Sequence, residues 1–169
     1  MKIVITDAMT VTQGDIDLKV FSKYGELYIY DRTSEDELKR RISDADIVLC
    51  NKTVLSEDVL KSAQKLKFIG LFATGYNNID TNYCTRNNII VSNAPGYSTN
   101  AVAQHTFALI LEYFSRVGKY SDFTASGQWN TSPVFSPFVY PTNELAHKTI
   151  GIIGYGSIGQ HNYRFCPCK

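Results

Sequence analysis

Phe68-Ile69-Gly70-Leu71-Phe72-Ala73 runs straight into Thr74-Gly75-Tyr76-Asn77-Asn78-Ile79-Asp80. The first six residues are apolar without alternation, the pattern of a strand covered on both faces. Such strands belong to parallel sheets, whose crossover connections lay helices against the faces. The loop that follows sits at the strand's C-terminal end, where open α/β sheets bind ligands. Read alone, it is equally a ligand loop, with Gly75 permitting a tight turn, or an ordinary connection into a helix.

The same rhythm extends in both directions. Upstream, residues 47–50 form another short apolar strand, and Ser56 opens a helix with Val59, Leu60 and Ala63 on its inner face. Ser34 with Glu37 three residues on is a capping box, followed by the stripe of Leu38 and Ile42. Residues 27–30 and 2–6 read as strands. Between them Ile16, Val20 and Phe21 at helical spacing, with Gly25 as a stop, predict a helix over 15–24. Downstream, 81–87 is a short helix and 89–91 a fifth strand. Five strands joined by right-handed crossovers give an α/β, flavodoxin-like doubly wound parallel sheet.

Composition sets outer limits. The chain has 169 residues, 44% hydrophobic and 20% charged, with 17 basic against 16 acidic residues and a net charge of +1. That balance argues against a nucleic-acid binder. No run approaches the roughly 20 apolar residues that cross a bilayer, so no membrane partner is expected. Met1-Lys2-Ile3-Val4-Ile5-Thr6-Asp7 meets an acid too early for a secretory signal. Cys50 and Cys84 read as buried hydrophobes, and Cys166-Pro167-Cys168 is too small a group for a zinc site. With no export signal a disulfide framework is not expected, and the chain reads as cytoplasmic.

Beyond Pro95-Gly96 the pattern changes. Thr99 or Asn100 can cap a helix reaching about residue 123, whose apolar residues, among them Ala103, Phe107, Leu109 and Leu111, surround most of its circumference. Such a helix needs a large core or two flanking bodies. His105 on it could be a base; a packed, hydrogen-bonded histidine is the favoured reading. Residues 127–142 form an aromatic-rich linker, with Trp129, Phe135, Phe138 and Tyr140 covering a helix edge. Then comes Lys148-Thr149-Ile150-Gly151-Ile152-Ile153-Gly154-Tyr155-Gly156-Ser157-Ile158-Gly159. A β-branched strand over 148–153 leading into Gly-x-Gly-x-x-Gly is the start of a dinucleotide fold. Gly154 makes the turn, Gly156 admits a pyrophosphate, Gly159 lets a helix lie close, and the N–H groups of Ser157 and Ile158 face the phosphates. A glycine-rich turn of another α/β protein is the competing reading. The acid expected about twenty residues later has no place before residue 169. Residues 160–169 show no helical stripe.

Residues 73–80, residues 93–105 leading into the apolar helix, and residues 148–159, together with Val102-Ala103-Gln104-His105-Thr106-Phe107-Ala108-Leu109, resemble the D-isomer-specific 2-hydroxyacid dehydrogenases over residues 1 to about 160. The glycerate dehydrogenase, or hydroxypyruvate reductase, branch is the nearest in pattern. The resemblance implies a substrate domain over 1–100 and an interdomain helix and linker over 99–147. It also implies the opening of a truncated Rossmann, NAD-binding domain over 148–169. It implies a small 2-hydroxy or 2-keto acid as substrate, bound at Lys52, Thr74, Gly75 and Tyr76. NAD or NADP would be held at Thr74, Gln104, Gly154, Gly156, Ser157, Ile158 and Gly159. The intact family member would be a homodimer. The family's catalytic arginine, histidine and carboxylate match no residue here, and neither His105 nor His147 occupies the histidine's place. The stretch after Gly159 reads like a frame change, so the chain alone is expected to be inactive. A non-catalytic flavodoxin-like module that dimerises through the apolar helix is the alternative.

Overall fold

The computed structural model describes residues 1–166; Pro167, Cys168 and Lys169, and with them two of the three residues of the Cys-Pro-Cys motif, lie outside the described residues. The chain forms two compact units, Met1–Pro95 and Gly96–Lys169.

The first unit is a five-stranded, all-parallel sheet of β1 (Lys2–Ile5), β2 (Glu26–Ile29), β3 (Ile47–Cys50), β4 (Phe68–Leu71) and β5 (Ile90–Ser92). The order β2-β1-β3-β4-β5 is the doubly wound layout expected of the sequence. Register follows the two-residue pleat: Val4, Val48 and Ile69 face one core, and Ile3, Ile5 and Leu49 the other. The first core is closed by α1 (Glu35–Ile42), α2 (Glu57–Leu60) and α3 (Thr81–Arg86), through Leu38, Ile42, Leu60 and Cys84. Cys50 is fully buried, and burial pushes its thiol up to about 12, which keeps it neutral and inert.

Local chemistry explains the element boundaries. At α1, Glu37 reaches back to the Ser34 N–H and hydroxyl, and the hydroxyl's hydrogen bond, chiefly, holds the Glu37 carboxyl below its usual range. At α3, Asp80 caps the first turn by accepting the Tyr83 N–H at 2.8 Å.

The helix expected over 15–24 is different. Residues Leu18–Tyr24 form a 3-10 helix, with Phe21 packed on the second core while Ile16 and Val20 are exposed. A polar turn precedes it: Thr12 Oγ1 accepts the Gly14 and Ile16 N–H groups, and Asp15 accepts from the Gln13 N–H and the Thr12 hydroxyl. Short polar side chains that satisfy the backbone in this way compete with helix nucleation.

The second unit begins with α4 (Thr99–Ser115) and α5 (Val117–Ala125), not one helix to 123. Arg116 breaks them apart in the left-handed region at φ 55, and the Glu112 carboxylate accepts the Gly118 N–H at 2.9 Å. On α4 only Thr99 and Ala103 are buried; Leu109, Leu111 and Val102 are exposed. In the linker Tyr140 packs on Tyr120 of α5, which donates to its carbonyl, whereas Trp129, which donates to the Phe135 carbonyl, is exposed with Phe135 and Phe138.

Two further expectations are corrected in this unit. Residues 148–153 are not a strand: a strand exists by pairing, among the described residues all five strands belong to the first unit, and Ile153 is fully exposed. Residues following the glycine motif are helical after all, as α6 (Ser157–Phe165). On this helix Gly159 and Asn162 are the buried residues, while Ile158 and Phe165 are exposed, Phe165 with its ring against Phe107 of α4. A glycine and an asparagine as the buried positions leave no apolar stripe for a hydrophobic count to find.

A candidate substrate loop pair and a glycine-rich turn

The functional residues expected of the first unit gather at the C-terminal ends of β3 and β4. Lys52 is exposed in the turn leaving β3; Thr74, Gly75 and Tyr76 are exposed in the turn leaving β4. Gly75 is not in the left-handed region, so conformation does not demand a glycine there. A side chain at 75 would meet nothing within 4 Å, so what the glycine provides is a bare approach to the loop backbone.

Both turns are held from below. Asp7, at the end of β1 and only 6% exposed, turns its carboxylate toward β3. It accepts the N–H groups of Asn51 at 2.9 Å and Thr53 at 2.9 Å, and that of Lys52 between them. The fully buried Thr6 shares a hydroxyl hydrogen bond of 2.8 Å with Thr53. Asn78 donates to the Thr53 carbonyl at 2.7 Å, and its own carbonyl accepts the Leu55 N–H at 2.8 Å, tying the two turns edge to edge. On the far side Asn93 donates to the Thr74 carbonyl at 2.7 Å. Asn78 lies within the quoted loop but with no role read from it, and Asp7 lies in no motif; the signal that marks Asp7 is its place at the C-terminal end of a central strand. Beside Lys52 a hollow of about 550 Å³ opens between the starts of α1 and α2, lined by Thr33, Lys39, Thr53 and Ser56 among others.

In the second unit, Gly154 takes φ 91, a conformation that side-chain-bearing residues avoid. Gly156 is the N-cap of α6, and a Cβ there would meet nothing within 4 Å. A Cβ at Gly159 would lie 2.2 Å from the Gly154 carbonyl oxygen. Ser157 and Ile158 open α6, so their N–H groups have no partner within the helix. A turn at the first glycine and open space at the second are what a dinucleotide loop needs of them; Gly159 packs α6 against the Gly154 turn itself, since residues 148–153 form no strand for it to lie on. Gln104 and His105 both lie exposed on α4, so His105 is not the packed histidine expected. Among the described residues no group of three His, Cys, Asp or Glu could hold a metal, and no helix is long and apolar enough to cross a membrane.

Residues 3–161 match the model of the D-isomer specific 2-hydroxyacid dehydrogenase catalytic domain. The chain belongs to that family. It is 42% identical over 163 residues to a hydroxypyruvate reductase of Blautia hydrogenotrophica, covering 95% of this chain and 51% of that protein. To a glycerate dehydrogenase of Methylorubrum extorquens it is 32% identical over 147 residues, 86% of this chain and 47% of the relative. Among solved structures, a D-lactate dehydrogenase from Aquifex aeolicus, complexed with NAD and lactic acid, superposes with a TM-score of 0.76. It is 28% identical, covering 96% of this chain and 47% of that one. The chain thus spans about half the length of these 2-hydroxyacid dehydrogenase relatives. The sheet order and the glycine-rich turn are features of the half that it does span.

Proposed function

We propose that the chain carries the substrate loops and the opening pyrophosphate turn of an NAD(P)-dependent oxidoreductase acting on a small 2-hydroxy or 2-keto acid of the glycerate/hydroxypyruvate type. The observation that carries this reading is the 42% identity to a hydroxypyruvate reductase across 95% of the chain. In this account residues 1–100 are the substrate domain and 148–169 the start of the nucleotide domain.

The roles follow from chemistry. A substrate carboxylate would accept backbone N–H groups of the Gly75-Tyr76 turn, which no Cβ obstructs. The Lys52 ammonium adds a point charge on the neighbouring turn. Thr74 and Gln104 would approach the cofactor, and Ser157 and Ile158 would offer N–H groups to its pyrophosphate, with Gly154, Gly156 and Gly159 shaping that turn. The nicotinamide supplies hydride transfer when bound; the protein's part is to bind and orient. The intact enzyme would be a cytoplasmic homodimer.

Proton transfer and carboxylate clamping need a general acid–base and a bidentate cation, and no residue of this chain matches those of the family. The 169-residue chain alone is therefore expected to give no oxidation of NADH above the enzyme-free rate with hydroxypyruvate or glyoxylate, followed at 340 nm; protein-dependent turnover would overturn that expectation. The exposed Leu109, Leu111 and Val102 of α4 favour a second reading, a self-associating module without catalysis. Acid binding at the β3 and β4 turns separates the two.

A further inference from the structure

The geometry points to Asp7 as a positioning residue that sets the two acid-binding turns in register; this rests on the reading of those turns given above. Its carboxylate is buried, yet its partners are not a lysine or arginine. They are three consecutive backbone N–H groups, of Asn51, Lys52 and Thr53, with the Thr6 hydroxyl at 3.4 Å. A carboxylate can satisfy this set because both oxygens accept. An amide would turn an NH₂ toward one of the donors, and an alanine would leave all three unpaired.

Two consequences follow. The Lys52 N–H is used by Asp7, so Lys52 can donate to a ligand only through its side chain. The hold is also passed on: Thr53, fixed by Asp7, gives its carbonyl to Asn78, which lies two residues past Tyr76. Asn51 is fastened separately, donating from its side chain to the Thr10 carbonyl at 2.8 Å, so the β1 and β3 turns are joined along their length. Asp7 would not touch the ligand itself; it acts through the backbone of 51–53 and, by way of Asn78, on the Gly75 turn.

The test uses the ¹⁵N-labelled chain, with amide exchange and D-glycerate titration read residue by residue. In Asp7→Asn, exchange at Asn51, Lys52 and Thr53 should quicken by about tenfold or more, while the β3 amides change by less than about threefold. The D-glycerate concentration that half-shifts the Gly75 and Tyr76 amides should rise by about tenfold. Asn78→Ala should leave exchange at Lys52 unchanged and still weaken the D-glycerate response, which keeps the assignment open to refutation if the Asp7 variant fails to fold. Unchanged exchange at 51–53 in Asp7→Asn overturns the assignment. So does faster exchange with an unaltered D-glycerate response, which would make Asp7 merely structural. An Asn78→Ala chain that binds D-glycerate as the wild type does overturns it too. A wild-type chain whose Gly75 and Tyr76 amides ignore D-glycerate would mark failure of the acid-site reading itself, and the assignment would fall with it.

Discussion

Ile69→Ala should destabilise the first unit by about 3 kcal/mol, within the range for emptying a buried isoleucine site. Ile69 is fully buried on β4, flanked by Val48 of β3 and Val91 of β5 in register. Its side chain lies in the core that α1, α2 and α3 close, so helices on that face hinder collapse around the cavity. For a unit of this size the loss corresponds to a fall in melting temperature on the order of 15 °C. Ile90→Ala is the control. Ile90 sits on the edge strand β5 with 65% of its surface exposed, and its loss should cost within about 0.5 kcal/mol. Urea titrations followed on amides of the first unit check both. Equal costs at 69 and 90 would contradict the sheet order and the inward face of β4.

Gly159→Val should undo the glycine-rich turn, whereas Gly156→Val should leave it folded. The added Cβ at 159 would fall 2.2 Å from the Gly154 carbonyl oxygen, and backbone cannot swing aside as a side chain can. The start of α6 must then leave the turn, carrying Phe165 away from Phe107, a loss on the order of 3 kcal/mol for the second unit. At 156 the Cβ meets open space, and φ −76 with ψ −168 suits a β-branched residue, so the loss is that of a poorer N-cap alone, about 1 kcal/mol. The valine there would nonetheless stand where a pyrophosphate must approach. Far-UV circular dichroism and the amide signals of 157–165 distinguish the two variants. Matching melts for both would remove the close-packing role of Gly159.

The sheet was legible because its strands announce themselves: an apolar run without alternation at 68–73, and capped helices between short β-branched stretches. The 3-10 segment was misread because Thr12 and Asp15 win backbone hydrogen bonds that helical spacing of Ile16 and Val20 cannot outvote. The run at 148–153 shows the converse failure. Its residues favour a strand, but pairing is a non-local property, and among the described residues the second unit has no strand to receive it. α6 was missed because Asn162 fills a buried place through a hydrogen bond to the Ile158 carbonyl rather than through apolar surface. The loop pair was half legible. Gly75 and Asn78 lie in one recognisable stretch and Lys52 enters by resemblance, while the holding roles of Asp7 and Asn78 rest on contacts 44 to 46 and 25 residues distant in sequence. No spacing rule reaches that far.

That the β3 and β4 turns bind a small 2-hydroxy or 2-keto acid is the central claim, and titration of the ¹⁵N-labelled wild-type chain with hydroxypyruvate, with acetate as control, tests it most directly. The account predicts saturable shifts centred on the amides of Gly75 and Tyr76, with Lys52 responding beside them, and little response to acetate. Absence of shifts at Gly75 and Tyr76, or shifts scattered over the sheet's opposite end, would contradict it.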